Sequence, residues 1–445
     1  MRIVVVGAGE VGSNIAASLS ADHDVVVVER DPATVEELTY SMDILALEGD
    51  GASRETLREA GVEEADLLVA STDQDETNLV VCGTAKTLGD PLTIARVRNV
   101  ELLDTWQASQ GAFDVDVMVS TDLLTAQDIV RVIGVPGALD VDPFASGLVQ
   151  VAEFQVPAES DVAGRTVADA DRFESLTFAA VVHDGEVAIP RGDTVLEGGD
   201  KVVVIGTPAG VQEFSRTVAP GQALDEADDF VVVGGSAIGA HVARLLADRG
   251  VQPRLVERDP ERARELAEAL PGALVMEHDA TDVDFLVAEG LDRADALVAA
   301  TDSDEKNLLV SLLARNVGVK RTVAVVENGE YAHLFETVGV DVAVNPRRST
   351  AEEIVRFTQE GRVENLSLIE GREAEVVEFE VDADSALTGR PIRESIGDLP
   401  DGVVVGAITR DHEFVVPRGE TEIHAGDHVV LFVAADALED VMTLA

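Results

Sequence analysis

The sequence predicts an α/β chain made of two doubly wound parallel sheets, each followed by a small α+β domain, and three observations carry that expectation. The chain repeats itself, its short apolar runs alternate with helical-period segments, and a glycine-rich turn joins the first run to the first helix.

The repeat orders everything else. Residues 66–81, DLLVASTDQDETNLVV, match residues 295–310, DALVAATDSDEKNLLV, at 11 of 16 positions with an offset of 229. VVVVERDP ending at Pro32 answers PRLVERDP ending at Pro260. The later parts repeat as well: IPRGDT at 189–194 resembles VPRGET at 416–421, and GGDKVVVI at 198–205 resembles AGDHVVLF at 425–432. Gly164-Arg165 likewise mirrors Gly389-Arg390. Four domains follow, at 1–135, 140–220, 229–348 and 365–445, with the Pro/Gly/acid-rich stretch 219–229 as a linker.

In the first domain the apolar runs at 3–6, 25–29, 44–47, 67–70, 93–97 and 115–119 are expected to be strands. Runs that are apolar throughout fit strands covered on both faces, as parallel strands are. The second and fourth domains carry amphipathic strands and one short helix after each Gly-Arg pair, a module suited to regulation or oligomer formation.

Composition narrows the function. Against 33 Lys+Arg stand 85 Asp+Glu, a formal charge of −52, which excludes a nucleic-acid binder because phosphate contacts need clustered cations. The acid is spread along the chain, so a disordered acidic tail is not expected. Only Lys86, Lys201, Lys306 and Lys320 supply lysine. Such a surface suits a salt-rich cytoplasm, where screening relieves self-repulsion; the alternative is an unusually acidic protein of ordinary salt. Unfolding midpoints against potassium chloride separate the two, since a halophilic chain fails at low salt. No run reaches the ~18 apolar residues of a membrane span and no signal-peptide pattern precedes the first strand, so a soluble cytoplasmic protein is expected. Cys82 stands alone, which leaves no intrachain disulfide. His424 and His428 flank Ala-Gly-Asp before a strand-like run, so no metal site is expected there.

Gly7-Ala8-Gly9-Glu10-Val11-Gly12 is a GxGxxG between a strand and a helix, the mark of a Rossmann-type domain. Gly7 permits the tight turn, Gly9 lets backbone approach a pyrophosphate, and Gly12 lets helix and strand pack closely. The helix N-terminus offers N–H groups to the phosphates. Glu29 lies 22 positions after Gly7, where a carboxylate accepts from both ribose hydroxyls and repels a 2′-phosphate, favouring NAD over NADP. The second copy reads Gly234-Gly235-Ser236-Ala237-Ile238-Gly239, with Ser236 in place of the glycine of closest approach, while Glu257 keeps the ribose position. Whether this second site is occupied stays open.

Thr72-Asp73-x-Asp75-Glu76-x-Asn78 recurs as Thr301-Asp302-x-Asp304-Glu305-x-Asn307, after the fourth strand at the sheet's carboxyl edge. Asp73 and Glu76 fit a capping box, and Thr72 still faces the ligand. Arg96 closes the fifth strand as a phosphate cation or a surface ion pair, and the second copy has Val325 there. Catalytic signals are absent: no nucleophile elbow, no Walker lysine, and no domain placing a proton donor opposite a nicotinamide. A dehydrogenase would need a base such as His183, expected in a turn beside Asp184 and Gly185.

These motifs, above all EAGVEEADLLVASTDQDETNLV, IARVRN and the doubled PRG(D/E)T pattern, resemble the TrkA family, the NAD-binding regulatory subunits of Trk-type potassium uptake systems built from tandem RCK modules. The resemblance spans essentially the whole chain. It implies nucleotide contacts at Gly7, Ala8, Gly9, Glu10, Val11, Gly12, Glu29, Thr72, Asp73 and Arg96 in the first copy. In the second it implies Gly234, Gly235, Ser236, Ala237, Ile238, Glu257, Thr301 and Asp302, with Asp50 and Asp279 near the adenine. It further implies a ring of modules beneath a TrkH-type membrane transporter subunit, without enzymatic activity, and leaves NAD+, NADH, ATP and ADP open as the ligand.

Overall fold

Uninterrupted Val, Ile, Leu and Ala runs build the Rossmann strands, because a strand covered on both faces has no polar side. The computed structural model describes all 445 residues except 21, 22, 43, 110, 111, 184, 220–228, 359–364, 370–373, 384, 386, 396–399, 401, 439, 440 and 442–445. The linker expected at 219–229, and Asp184 beside His183, therefore lie largely or wholly outside the described residues.

The first domain runs β1 (Arg2–Val6), α1 (Glu10–Leu19), β2 (Asp24–Glu29), α2 (Pro32–Ser41), β3 (Leu45–Glu48) and α3 (Arg54–Glu59). It continues with β4 (Leu67–Ala70), α4 (Asp75–Leu88), β5 (Leu92–Val97), α5 (Val100–Ala108), β6 (Val117–Ser120) and α6 (Thr121–Ile133). Every strand expected from the apolar runs is present, displaced by at most two residues at either end. The sheet is parallel throughout in the order β3-β2-β1-β4-β5-β6.

The second domain contains β7 (Ala138–Phe144), β8 (Val149–Gln155), α7 (Val167–Ala170), β9 (Leu176–His183), β10 (Glu186–Ala188), β11 (Lys201–Gly206) and α8 (Pro208–Val218). Its antiparallel order is β10-β9-β11-β8-β7. The short helix after Gly164-Arg165 is α7; the longer α8 is an addition to the single helix expected.

The third domain repeats the first: β12 (Phe230–Val233), α9 (Ala237–Asp248), β13 (Arg254–Glu257), α10 (Pro260–Ala269), β14 (Leu274–Glu277) and α11 (Val283–Ala288). Then come β15 (Ala296–Ala299), α12 (Asp304–Val317), β16 (Thr322–Val325), α13 (Ala332–Val338), β17 (Val342–Val344) and α14 (Pro346–Thr358), in the order β14-β13-β12-β15-β16-β17. The fourth holds β18 (Asn365–Ile369), β19 (Ala374–Glu380), α15 (Ile392–Ser395), β20 (Val403–Arg410), β21 (Glu413–Val415) and β22 (His428–Ala434), ordered β18-β19-β22-β20-β21. The two antiparallel sheets share one core, in which Val151, Ala179, Val203 and Ile205 meet Val376, Ala407, Val430 and Phe432.

The Rossmann domains exchange their last helices. On α6 the buried positions Ala126, Ile129, Val130 and Ile133 recur at helical spacing and pack against Ile238, Val242 and Leu246 of α9. On α14, Ala351, Ile354 and Val355 pack against Val11, Ile15 and Leu19 of α1. Each first helix, which opens at a glycine loop, therefore rests on the other copy's contribution. Arg321, 3% exposed, fastens the joint by donating to the Val132 and Val135 carbonyls at 2.8 and 2.9 Å and to that of Ala138. Its burial lowers its pKa to about 10, which leaves it charged at neutral pH. Roughly 1.5–3 kcal/mol per buried Val, Leu or Ile makes apolar packing the dominant force at this joint.

Candidate functional site

The crevice lies where the chain's path reverses, at the carboxyl ends of β1 and β4, where open α/β sheets take ligands. Gly7 turns the chain there with φ +94°, a left-handed conformation that a side chain resists. At Gly12 a β-carbon would stand 1.9 Å from the Gly7 carbonyl oxygen, so α1 seats against the loop only without a side chain. A β-carbon on Gly9 would meet no atom within 4 Å, so space lies open above it. Gly9 is also the N-cap of α1 and gives no side-chain bond, leaving first-turn N–H groups available to an anion.

Backbone holds the Glu29 carboxylate: Oε2 accepts from the Ala8 N–H at 2.7 Å, and Oε1 from Arg30 and Asp31 at 2.7 and 3.0 Å. Fixed at the end of β2, it keeps lone pairs for ribose hydroxyls. Asp50, past β3, accepts from the Ala52 N–H at 3.0 Å. Val11 is buried among core side chains and offers the site backbone alone. Glu10 turns away to the other copy, pairing with Arg347 of α14 and accepting from the Gly329 N–H at 3.2 Å.

On the far side of the crevice, Thr72 is braced by Asn78, to which the sequence reading gave no role. The fully buried Asn78 accepts from the Thr72 N–H at 2.9 Å and hydroxyl at 2.6 Å. Its amide donates to the Thr72 carbonyl at 3.0 Å and that of Arg96 at 2.8 Å, tying β4 to β5. Its presence in both copies, six residues past the threonine, was the available signal.

The capping box is not formed. The N-cap of α4 is Gln74, without a side-chain bond, and the Asp75 carboxylate reaches across to the N–H groups of Arg98 and Asn99. Asp73 instead lies 3.6 Å from both Arg96 and Arg98. Nor is Arg96 a surface ion pair: it is 3% exposed and donates from Nε to the Thr121 hydroxyl at 3.0 Å. Burial lowers its pKa, with Arg98 and Arg347 adding repulsion and Asp73 opposing them. A buried cation under that repulsion is poised for an anion.

The second copy keeps the scaffold. Gly234 has φ +105°, and a β-carbon on Gly239 would stand 2.1 Å from the Gly234 carbonyl. Glu257 accepts from the Gly235 N–H at 2.6 Å and from Asp259 at 2.7 Å. Asn307 accepts from Thr301 at 2.8 and 2.7 Å and donates to Val325 at 2.8 Å. Asp279 accepts from the Thr281 N–H and hydroxyl, which lower its pKa. The cleft is ≈ 580 Å³, lined among others by Gly234, Gly235, Ser236, Glu257, Thr301 and Asp302, a size suited to a small-molecule ligand. Ile238 is buried in the core beneath, and Ala237 opens α9 in the place of Glu10.

Its helix ends differ. The Ser236 hydroxyl accepts from the Gly239 N–H at 3.1 Å and donates to the Ala300 carbonyl at 2.6 Å. Ser303 accepts from the Lys306 N–H at 3.3 Å, and Asn345 from Arg347 and Arg348 at 3.0 and 2.7 Å.

Comparison with known proteins agrees with this architecture. The TrkA-N domain family matches residues 3–120 and 230–346, and the TrkA-C domain family matches 151–219 and 376–445. The Trk system potassium uptake protein TrkA homolog of Archaeoglobus fulgidus is 38% identical over 441 residues, covering 99% of both chains. Homolog 1 of Methanosarcina mazei is 35% identical over 449 residues, again covering 99% of each. A solved structure of the GsuK channel bound to NAD shares the fold at 19% identity, with a TM-score of 0.61 over 100% of this chain and 78% of that one. The chain belongs to the TrkA family.

Proposed function

We propose that this TrkA family member is a nucleotide-binding regulatory subunit of a potassium uptake system, with NAD in the first cleft. The observation that carries the reading is the open glycine loop of the first copy, whose helix α1 rests on α14 of the second. NAD+ or NADH spans the crevice with its adenosine ribose on Glu29, its adenine near Asp50 and its pyrophosphate on Gly7–Gly12, with Thr72, Asp73 and Arg96 opposite; ATP or ADP uses the same place. The relatives named as potassium uptake proteins and the NAD carried by GsuK support this.

A ligand shifts a conformational equilibrium only by its differential affinity for the two states. A phosphate arriving at α1 bears on the α1–α14 joint, so the angle between the Rossmann domains is the coordinate it biases. The protein then acts as a binder rather than a catalyst, and His183 is committed elsewhere, with Nδ1 2.7 Å from Asp200. Among the described residues no helix is long and apolar enough to cross a membrane. As the naming of the relatives suggests, the protein works from the cytoplasmic face, on a TrkH-type transporter subunit. Val80 and Leu309, exposed at equivalent places on α4 and α12, with Leu45 and Leu274 likewise on β3 and β14, support assembly of several copies into a ring.

The test is potassium flux in membranes holding the partner subunit, with this chain and with NAD+, NADH, ATP or ADP added singly. The reading expects flux to change when chain and ligand are both present. Flux indifferent to both overturns it, and flux restored only by a different transporter reassigns the partner.

A further inference from the structure

The two exchanged helices, α6 and α14, cross away from the glycine loops, and charge gathers at the crossing. A cavity of ≈ 290 Å³ lies there, with walls from all four domains: residues of α6, β7, α14 and β18 line it. Asp128 of α6 faces it with a side chain 20% exposed. Arg131, nearly one turn further along α6, pairs with Asp128 and lies 3.6 Å from Asp142 of β7. It also donates from Nε to the Val141 carbonyl at 3.0 Å. Asp142 in turn accepts from the Ser367 hydroxyl of β18 at 2.5 Å. From α14, Ser349 reaches the Asp128 carboxylate, and its hydroxyl lies 3.2 Å from the Asn345 carbonyl.

The charge around this group is lopsided. To the cavity β7 adds Asp140, β8 Glu153, α13 Glu336 and α14 Glu352 and Glu353, against Lys201 of β11 and Arg348 of α14. Those two cations have carboxylates of their own: Lys201 lies 3.2 Å from Glu153, and Arg348 donates to Glu352 at 2.8 Å. Asp128 shares Arg131 with Asp142. Burial pushes its carboxyl up to about 6 from the ordinary 3.8; Arg131 and Ser349 oppose the shift, and Asp142 and Glu352 add to it. The cost of the ionised form is full well above pH 6, eases as pH falls through 6, and is gone below the ordinary value. Protonation leaves Arg131 with Asp142 and the Val141 carbonyl. It lets the carboxyl donate to the Ser349 hydroxyl, whose own proton then serves Asn345.

We propose that Asp128 makes the α6–α14 crossing a proton-sensitive joint, closed more tightly when this carboxyl is protonated than when it is ionised. The joint reaches the first cleft through α14, which Asn345 caps and whose Ile354 and Val355 pack on α1. A proton at the crossing and a nucleotide at the loop then act on one equilibrium, and each changes the other's affinity by the same factor. Only that last step rests on the regulatory reading of the first cleft.

The experiment is amide hydrogen exchange along α6 and α14 in the full chain without nucleotide, corrected for intrinsic exchange, from about pH 7.5 to about pH 5. Protection should rise about tenfold over that range, with its midpoint near 6. Asp128→Asn should show the higher protection already at the upper pH and lose the dependence. Asp142→Asn, which removes a repelling charge and frees Arg131 for Asp128, should move the midpoint to lower pH. The chain's overall charge of −52 eases alike in all three proteins as pH falls, and melting temperatures confirm that each folds. Protection indifferent to pH, a dependence kept in Asp128→Asn, or a midpoint unmoved in Asp142→Asn each overturn the proposal. Calorimetric NAD+ affinity that ignores pH, with exchange behaving as expected, strikes only the link to the first cleft.

Discussion

In the first Rossmann copy, three helices that start at the carboxyl edge of the sheet begin without a side-chain cap: Gly9 before α1, Gln74 before α4 and Ser120 before α6. In the second, the corresponding helices are closed by Ser236, Ser303 and Asn345. The scaffold beneath is the same in both, down to the 2.8 Å bond from Asn78 to Arg96 and from Asn307 to Val325. Duplication therefore preserved what folds the domain and changed what meets a ligand. An uncapped helix end costs stability until an anion arrives, and a capped one stands satisfied without it.

The largest effect that sharpens this contrast comes from the shared scaffold. Gly12→Ala and Gly239→Ala each drive a methyl into a loop carbonyl, at 1.9 and 2.1 Å. Thermal unfolding should show both variants destabilised, by ~3 kcal/mol or more if the loop cannot shift, while NAD+ titration should fail only for Gly12→Ala. Loss of NAD+ binding in Gly239→Ala alone would break the comparison. Next come Asn78→Ala and Asn307→Ala, which leave a threonine N–H and two carbonyls unpaired. Denaturant unfolding should register ~2–3 kcal/mol for each, alike within ~1 kcal/mol.

Smaller effects separate the copies. Arg96→Gln should weaken NAD+ about tenfold by titration, yet hardly lower the melting temperature, since a buried, loosely paired cation contributes little to stability. A large drop in melting temperature with NAD+ affinity intact would return Arg96 to a structural role. Smallest is Glu10→Gln, which breaks the pair with Arg347. Both side chains are about one-third exposed, at 31% and 32%, so at most ~1 kcal/mol is at stake, shrinking further as salt rises. A loss well above that in concentrated potassium chloride would mean that this pair, rather than apolar packing, holds the joint.

Most of the fold was legible because buried parallel strands leave a plain signature. The run VVVV at 25–28 can hardly be anything else between two helical segments. The glycine loop of the first copy was legible because Gly7 and Gly12 are demanded by a turn and a close contact, each local in sequence. The helix exchange was not, since helical spacing on α6 says which face is buried and nothing of what covers it. Arg347 was invisible for the same reason, being 337 residues from its partner Glu10. The capping box failed at Asp73 because Asp75 had a better offer across the sheet, from the N–H groups of Arg98 and Asn99. Ser236 was visible as a missing glycine, but its action as a cap needed the bond to Gly239.

The dinucleotide is assigned to the first copy and not to the second. Calorimetric titration of NAD+ into the unaltered chain, Glu29→Ala and Glu257→Ala tests it most directly, because the two substitutions are the same change in the two copies. One equivalent per chain is expected, lost in Glu29→Ala and kept in Glu257→Ala. Binding that survives Glu29→Ala, or vanishes in Glu257→Ala, contradicts it.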